Sequence, residues 1–290
     1  MKKITVTIIC LVVMMSLVQA SQTRMTTLMA RDYIDDITNI GVYPHHIVIY
    51  ENNLYGDITR QVDHFGIIIA PKKKYGAVAC WQNNESGNGF NVGYAINLHR
   101  FDIGISGSPV EDNGRFGIGI GRKFFDRRFD LSFLLGDGTN EEWYKVNLRL
   151  AGRRGDYVIV PKYSLDYHQE PYDYSKHRIG IMLQRLVLNE GFVFCIAEYD
   201  FSRGDIDNDY TRVYGGFELP LNKKIVLRSG AQETFTEGFE SPEWQIECGF
   251  SVRVREFSLD FHINTDTLFE DEFTLFIFRS FGLDLNFGRF

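Results

Sequence analysis

The chain alternates apolar and polar residues in bursts of about ten, each bounded by turn-forming residues. Between residues 116 and 121, for example, Phe and Ile alternate with Gly. Successive side chains of a β-strand point to opposite faces, so this alternation predicts strands with one apolar and one polar face. After residue 20, no apolar run approaches the ~20 residues that a membrane helix needs. If the chain spans a membrane, it must do so as a closed sheet, because lipid leaves an open sheet edge unsatisfied.

Sixteen segments of this kind follow residue 44, and merging two of them would leave fourteen. An even number lets an antiparallel sheet close with both ends of the chain on one side. The sequence therefore predicts an all-β fold, a transmembrane antiparallel β-barrel of 14–16 strands with an N-terminal plug-like segment. The segments are residues 45–50, 64–70, 75–82, 90–98, 100–107, 116–124, 129–135, 142–151, 156–166, 177–187, 191–201, 210–219, 224–233, 244–254, 257–265 and 272–288.

A secreted β-sandwich is the main alternative fold, because it also alternates and also turns every 8–12 residues or so. A sandwich of this size would usually use more proline and more disulfides. After residue 20 the cysteines are Cys80, Cys195 and Cys248, an odd number without the close spacing of a disulfide framework or a zinc site. The polar face is rich in glycine and charge, which favours a wet barrel lumen.

The first twenty residues have the pattern of a secretory signal. Lys2 and Lys3 precede an apolar stretch from Ile4 to Val18, and a small-residue cleavage site ends at Ala20. An exported chain with a barrel pattern is expected in the outer membrane of a Gram-negative-type bacterium. The predicted organisation is a signal peptide over 1–20, an N-terminal plug or periplasmic segment over 21–44, and a barrel over 45–290.

Short and long links between the segments alternate along the chain. Bacterial barrels place short turns in the periplasm and longer loops outside the cell. We therefore expect the 152–155 turn in the periplasm and the 202–209 and 234–243 loops at the cell surface. The last loop and its border hold Phe235, Phe239 and Trp244, which favours contact with a ligand or a partner protein.

Residues 31–62 lack the wall pattern and resemble the start of the long-chain fatty-acid transporter-like (FadL-like) outer-membrane family. Asp35, Asp36, Thr38 and Pro44 match its acidic segment and the helical turn before its first strand, although Tyr43 and His45 replace the family's Asn and Ala. The resemblance implies a fourteen-stranded barrel with an N-terminal segment tucked into the lumen or the periplasmic mouth. It also implies transport or, in some members, a role as a secretion-system shuttle.

The polar face supplies the candidate functional residues. Inward-pointing residues of mixed charge are expected to line the lumen, and mutual pairing is expected to account for most of them. The predicted lumen residues are Lys145, Arg149, Arg178, Glu247, Arg253, Arg255, Asp260 and His262. The predicted plug residues are Arg31, Asp32, Asp35, Asp36 and Pro44.

Two further patterns suggest chemistry, and one fails on geometry and the other on residue type. Ser258, Asp260 and His262 share one strand face, but Ser258 and His262 would lie ~13 Å apart at ~3.3 Å per residue, too far for a triad. The loop around 205–209 alternates Asp as a calcium loop does, but lacks the glycine and glutamate of an EF-hand. We expect neither an enzyme nor a cofactor or metal.

Function is predicted only by class. The net charge of −7 and the lack of a basic stripe argue against nucleic acid as a partner. We expect a passive channel or transporter for small or hydrophobic solutes. The alternative is a structural or assembly barrel that binds exported proteins, with an outer-membrane hydrolase as a distant third. The expected partners are outer-membrane lipid, the barrel-assembly machinery, and a small hydrophobic solute or an exported protein.

Overall fold

The computed structural model describes most of the chain after the predicted signal peptide. The signal peptide, Arg255 and the tip of the 234–243 loop lie outside the described residues. The described residues are 22–50, 52–59, 63–71, 75–83, 89–108, 113–138, 141–169, 173–187, 191–236, 242–254, 257–263 and 278–286.

The described residues form sixteen antiparallel strands that close into one barrel. Each strand pairs with its neighbours in sequence, and β16 closes the barrel on β1 with Asn53 opposite Asn286. The prediction of an all-β antiparallel barrel is confirmed. The strands are β1 (Asn53–Thr59), β2 (Asp63–Ile69), β3 (Ala77–Asn83), β4 (Gly89–Leu98), β5 (Phe101–Ser108), β6 (Asn113–Phe124), β7 (Arg127–Gly138), β8 (Glu141–Arg154), β9 (Tyr157–Gln169), β10 (Tyr174–Leu186), β11 (Phe192–Gly204), β12 (Asp209–Pro220), β13 (Ile225–Phe235), β14 (Glu243–Val254), β15 (Phe257–Ile263) and β16 (Phe278–Asn286).

Before the first strand, the described chain is helical. The helix α1 spans Gln22–Leu28, and three 3-10 helices follow at Arg31–Tyr33, Ile37–Gly41 and Pro44–Val48. Asp36 caps the second of these, since its side chain accepts a hydrogen bond from the Thr38 backbone N–H. Within the described ranges, no helix is long and apolar enough to cross a membrane.

The start of the wall differs from the prediction. Residues 45–50 were predicted as the first strand, but Pro44 opens the third 3-10 helix there, at a position where its missing N–H costs nothing. The first strand is instead Asn53–Thr59, within a predicted loop. Gly56 and Asp57 give it a weak strand pattern of its own, so pairing with β16 and β2 on its two sides fixes its conformation. The predicted strand at 45–50 is absent and the strand Asn53–Thr59 was not predicted, so the predicted number of strands is still sixteen.

The outer face of the barrel carries the large apolar side chains. Leu148 and Ile118 are exposed, whereas Asn147 and Arg149 on the opposite face of β8 are almost wholly buried. Ser251 and Asp260 are likewise buried on the face opposite their apolar neighbours. An exposed apolar surface around a closed sheet with a polar interior is the arrangement that a bilayer requires.

We expect Leu148→Arg to lower the free energy of unfolding by ~2–4 kcal/mol, the cost of arginine on the lipid face near the membrane midplane. Urea titrations of the refolded protein in phospholipid vesicles measure this quantity. Ser106→Arg is the control, because Ser106 faces the lumen cavity described below, where arginine can stay hydrated. Equal destabilisation by the two substitutions would contradict the assignment of the lipid face.

The apolar core lies inside the barrel, between residues 22–50 and the inward face of the wall. We call residues 22–50 the inner segment. Two buried clusters join it to the wall. The first holds Met25, Leu28, Ala30, Tyr33 and Ile34 of the segment with Val160, Met182, Phe192, Phe194, Ile196 and Tyr214 of the wall. The second holds Ile37, Ile40 and Ile47 of the segment with Tyr55, Ile68, Ala77, Ala79, Trp81 and Ala95 of the wall.

Candidate functional site

The inner segment occupies one end of the lumen. The wall residues of both clusters lie near the β2–β3, β8–β9 and β10–β11 connections, so the segment fills the half of the barrel that holds these connections. We call this half the short-turn end, because it also holds the two-residue turns β4–β5, β6–β7 and β8–β9. The opposite half is the loop end.

Inward-facing glycines let the inner segment approach the wall at backbone distance. A Cβ atom on Gly104 would lie 2.3 Å from the backbone nitrogen of His45, and one on Gly121 would lie 2.5 Å from the ring of the same histidine. At Gly230 a Cβ atom would lie 2.5 Å from the carbonyl oxygen of Leu28. The glycine-rich inner face was interpreted from sequence as a lining for water. At these positions it is instead the contact surface of the inner segment.

We expect Gly104→Val to displace the inner segment from β5, because overpacking a tight contact costs ~1–3 kcal/mol. Limited proteolysis within residues 22–50 should become faster, while the barrel stays folded. Gly114→Val on β6 is the control, since a Cβ atom at Gly114 meets nothing within 4 Å. An unchanged proteolysis rate in Gly104→Val would contradict the close contact.

Asp130 and Arg149 are the centre of a buried charge network. The Nε and Nη2 atoms of Arg149 donate to Asp130 over 3.1 and 2.9 Å, and Nη2 also binds the carboxylate of Asp35. The Nη1 atom donates to the backbone oxygen of Asp32 over 3.2 Å. Arg149 therefore joins two strands of the wall to the inner segment, with its charge balanced by two carboxylates.

The same carboxylate meets two histidines of the inner segment. His45 Nε2 lies 2.9 Å and His46 Nε2 lies 3.1 Å from Asp130 Oδ1, and all three side chains are buried. Desolvation lowers the pKa of His45 and lowers that of His46 to about 4, so both rings are neutral at neutral pH.

His45, His46 and Asp130 are the described residues that could together hold a metal ion, because their ligand atoms lie within 4.8 Å of one another. However, Arg128 donates to Asp130 Oδ1 over 2.7 Å and Arg149 occupies Oδ2. Two guanidinium groups on the carboxylate oppose a cation there, so we interpret the cluster as part of the charge network.

Glu198 of β11 is a second junction between wall and inner segment. It accepts hydrogen bonds from Arg31 Nη1 and Tyr33 Oη over 3.1 Å each, and from Tyr214 Oη over 2.9 Å. Beside it, Lys162 of β9 donates to Asp32.

The predicted plug residues all lie in the inner segment, in contact with the wall or with each other. Arg31, Asp32 and Asp35 bind wall residues as described, and Asp36 pairs with Arg24 over 2.8 Å, which in turn binds Glu218 of β12. Pro44 sits over Gly104 and Gly119. The charged residues by which the sequence distinguished this segment from the wall are therefore the ones that form its ion pairs.

The predicted lumen residues within the described ranges all point inward, and most pair with another wall residue. The pairs are Lys145–Asp166 at 3.2 Å, Arg178–Asp200 at 2.8 Å, Arg228–Asp260 at 2.6 Å, His262–Glu247 at 2.6 Å and Arg253–Glu218 at 4.0 Å. The acidic partners Asp130, Glu198, Asp200 and Glu218 were missed. Their inward phase in the strand pattern could have indicated them, but their cross-strand partners depend on register.

Neither pattern rejected on sequence is assembled by the fold. Asp260 binds Arg228 and Ser251, whereas His262 binds Glu247, so Ser258 has no base beside it in these contacts. In the β11–β12 loop, two of the alternating aspartates, Asp207 and Asp209, form ion pairs with Arg203.

A cavity of about 680 Å³ opens at the loop end, and we call it the vestibule. Arg31, Asp32, Thr38 and Asn39 of the inner segment contribute to its lining and form its floor. The wall contributes Tyr55, His64, Trp81, Asn91, Ser106, Arg115, Leu134, Trp143, Lys145, Asp166, His168 and Arg178.

A smaller cavity of about 250 Å³ lies at the short-turn end, on the other side of the inner segment. Arg24, Asp35 and Asp36 line it together with Arg253, Ser258 and Asp260 of the wall. The inner segment therefore lies between two water-accessible spaces within one lumen.

Comparisons with known proteins place the fold. No protein-family model matches the chain, and no curated protein matches it by sequence. Among solved structures, a bacterial polysaccharide outer-membrane secretin is 8% identical with a TM-score of 0.56, covering 81% of this chain and 97% of that one. OmpT of Vibrio cholerae is 10% identical with a TM-score of 0.50, covering 80% and 95%.

At these identities the likeness is one of fold. The comparisons do not show the FadL-like family, and the sixteen strands among the described residues differ from the fourteen that this resemblance implies. The chain shares its fold with outer-membrane barrels. Its exposed apolar outer face is the surface that such a barrel presents to lipid. The chain is a β-barrel protein of the Gram-negative outer membrane.

Proposed function

We propose that the protein is a gated conduit for small polar solutes, with the inner segment as the gate. The observation that carries the proposal is the position of the inner segment, which forms the floor of the vestibule and separates it from the smaller cavity. A solute taken up at the loop end reaches the short-turn end only if this segment moves. The N-terminal segment that the FadL-like resemblance implies is in keeping with this arrangement.

The residues that line the vestibule favour a small polar solute over a long apolar one. Trp81 and Trp143 offer flat apolar surfaces, and the guanidinium of Arg115 lies 5.8 Å from the ring centre of Trp143. Asn39 and Asn91 add groups that can donate and accept hydrogen bonds. A few polar groups among aromatic surfaces are typical of small-molecule sites, and both signs of charge are present. A long hydrocarbon chain would offer no hydrogen bond to the polar groups of this lining and would remove water from them.

Deletion of residues 25–43 tests the proposal. Single-channel recording in planar bilayers should show low conductance for the full chain and a steady open conductance for the deletion variant. Far-UV circular dichroism and heat-modifiable migration in gels establish that the variant still forms a barrel. A folded variant that conducts no more than the full chain would overturn the gate.

A barrel that binds an exported protein is the second candidate. One observation in its favour is that two buried apolar clusters join the inner segment to the wall, as in a fixed structural core. The other is Trp244, which is 67% exposed at the loop end. A photo-crosslinking residue at Trp244 in growing cells distinguishes the two functions. Specific crosslinks to an exported protein, together with a deletion variant that stays closed, would favour this candidate.

A further inference from the structure

Four arginines lie on the outer wall at the short-turn end. They are exposed and face the membrane side of the wall, and among the described residues none of them forms an ion pair with an acidic side chain. A concentration of positive charge is unexpected in a chain whose net charge is −7. Arg122 lies apart, with its guanidinium 5.1 Å from the ring centre of Phe101 on β5. Arg127, Arg154 and Arg185 follow neighbouring rows of β7, β8 and β10, and we call these three the arginine cluster.

The strand register brings two of these arginines to one aromatic ring. Tyr157 of β9 is paired with Arg154 of β8 on one side and with Arg185 of β10 on the other. Because neighbouring strands are about 4.8 Å apart, the two arginine backbones are about 10 Å apart. The guanidinium of Arg185 lies 5.7 Å from the centre of the Tyr157 ring. The register therefore places two exposed arginines on either side of one aromatic ring, where one anion can reach both.

The next row of outward-facing residues contains a notch. Gly152 of β8 is paired with Arg127 of β7 and with Ile159 of β9, and Ile159 is paired with Leu183 of β10. A Cβ atom on Gly152 would meet only the Cγ atom of Arg127, at 3.8 Å, so the space above the glycine is open. Ile159 and Leu183 are exposed apolar side chains. The cluster therefore has a cationic rim and an apolar floor, at the level where the lipid-facing surface ends.

We propose that this surface binds an anionic glycerophospholipid, with its phosphate held by Arg127, Arg154 and Arg185 and an acyl chain lying along Ile159 and Leu183 beside the Gly152 notch. Guanidinium groups suit phosphate because they can donate two parallel hydrogen bonds. Tyr157 has the amphipathic character of residues at the headgroup level. The predicted topology places the short-turn end in the periplasm, and the periplasmic leaflet of an outer membrane consists of glycerophospholipids. The inference is independent of the proposed gate.

Native mass spectrometry of the refolded full chain tests the site. The protein is released from detergent micelles that contain phosphatidylglycerol, phosphatidylethanolamine or both. We expect one tightly retained phosphatidylglycerol per barrel, in preference to phosphatidylethanolamine. Arg127→Gln/Arg154→Gln/Arg185→Gln should weaken retention about fivefold per arginine removed, hence roughly a hundredfold in all. Lys223→Gln/Lys224→Gln, at the β12–β13 turn of the same end, should leave retention unchanged.

A second variant separates the notch from the charge. Gly152→Leu fills the notch without changing the charge and should also weaken retention of phosphatidylglycerol, whereas inorganic phosphate should not displace the lipid. The proposal is overturned if phosphatidylglycerol shows no preference over phosphatidylethanolamine, or if the triple variant retains it fully. It is also overturned if lipid A displaces it, since that would place the cluster against lipopolysaccharide.

Discussion

Arg149→Met is expected to lower the free energy of unfolding by ~3–5 kcal/mol, the largest single effect in this chain. Arg149 is 1% exposed and binds Asp130 and Asp35 together. Removing one partner of a buried ion pair leaves the other as an uncompensated charge, which costs this much. Asp130 keeps Arg128 on Oδ1 and Asp35 is exposed, so the expected cost comes from the buried Oδ2 of Asp130, which loses both hydrogen bonds from Arg149. Urea titrations of the refolded protein in phospholipid vesicles would measure the change.

Lys145→Met is the matched control for this prediction. Lys145 lies four residues before Arg149 on the same face of the same strand, but it binds only the half-buried Asp166 among its described contacts, over 3.2 Å. A partly exposed pair contributes ~0–1 kcal/mol. If the two substitutions destabilise the protein equally, the network around Asp130 does not hold the fold together. If neither does, water must reach these carboxylates in the folded barrel.

Asp32→Lys is expected to release the inner segment and raise the conductance toward that of the deletion variant. It places a cation against the buried Lys162, with Arg149 and Arg178 nearby. If docking loses ~3–5 kcal/mol, as breaking a buried pair typically costs, the population of the displaced segment rises by roughly a hundredfold or more. Single-channel recordings would show longer open periods. This prediction rests on the proposed gate.

Restoring the pair provides the control. In Asp32→Lys/Lys162→Asp the charges exchange places, so the segment should dock again and the conductance should return toward that of the full chain. A double variant as open as the single one would show that Asp32 acts through something other than Lys162. A single variant that stays closed while Gly104→Val opens would show that packing, and not charge, holds the segment.

Fifteen of the sixteen predicted segments overlap strands of the barrel, because period-two alternation is a local property. The failure at residues 45–50 has a local cause as well. His45, His46 and Ile47 are all buried, whatever their parity, since the third 3-10 helix is surrounded by β3, β4, β5 and β6. Strand periodicity cannot be read where a segment is covered on every side.

The inward glycines mark a different limit of sequence reasoning. The alternation pattern assigns Gly104 and Gly121 to the inward face, and it is the same whether the lumen beside them holds water or protein. Only the path of the inner segment decides that His45 fills this space. In the same way, Arg149 could be assigned inward from its neighbours Leu148 and Leu150, but its partners Asp35 and Asp130 depend on register and docking.

The sequence by itself determined the barrel, its inward and outward faces, and the separate character of the N-terminal segment. These follow from side-chain period and polarity, which act over a few residues. Only the tertiary structure decided where that segment lies, which charges it neutralises, and that a vestibule remains above it. Those features depend on contacts between residues more than a hundred positions apart, such as Asp35 with Arg149 and Arg31 with Glu198. Local pattern carries no information about such distant partners, because their meeting depends on strand register and closure of the sheet.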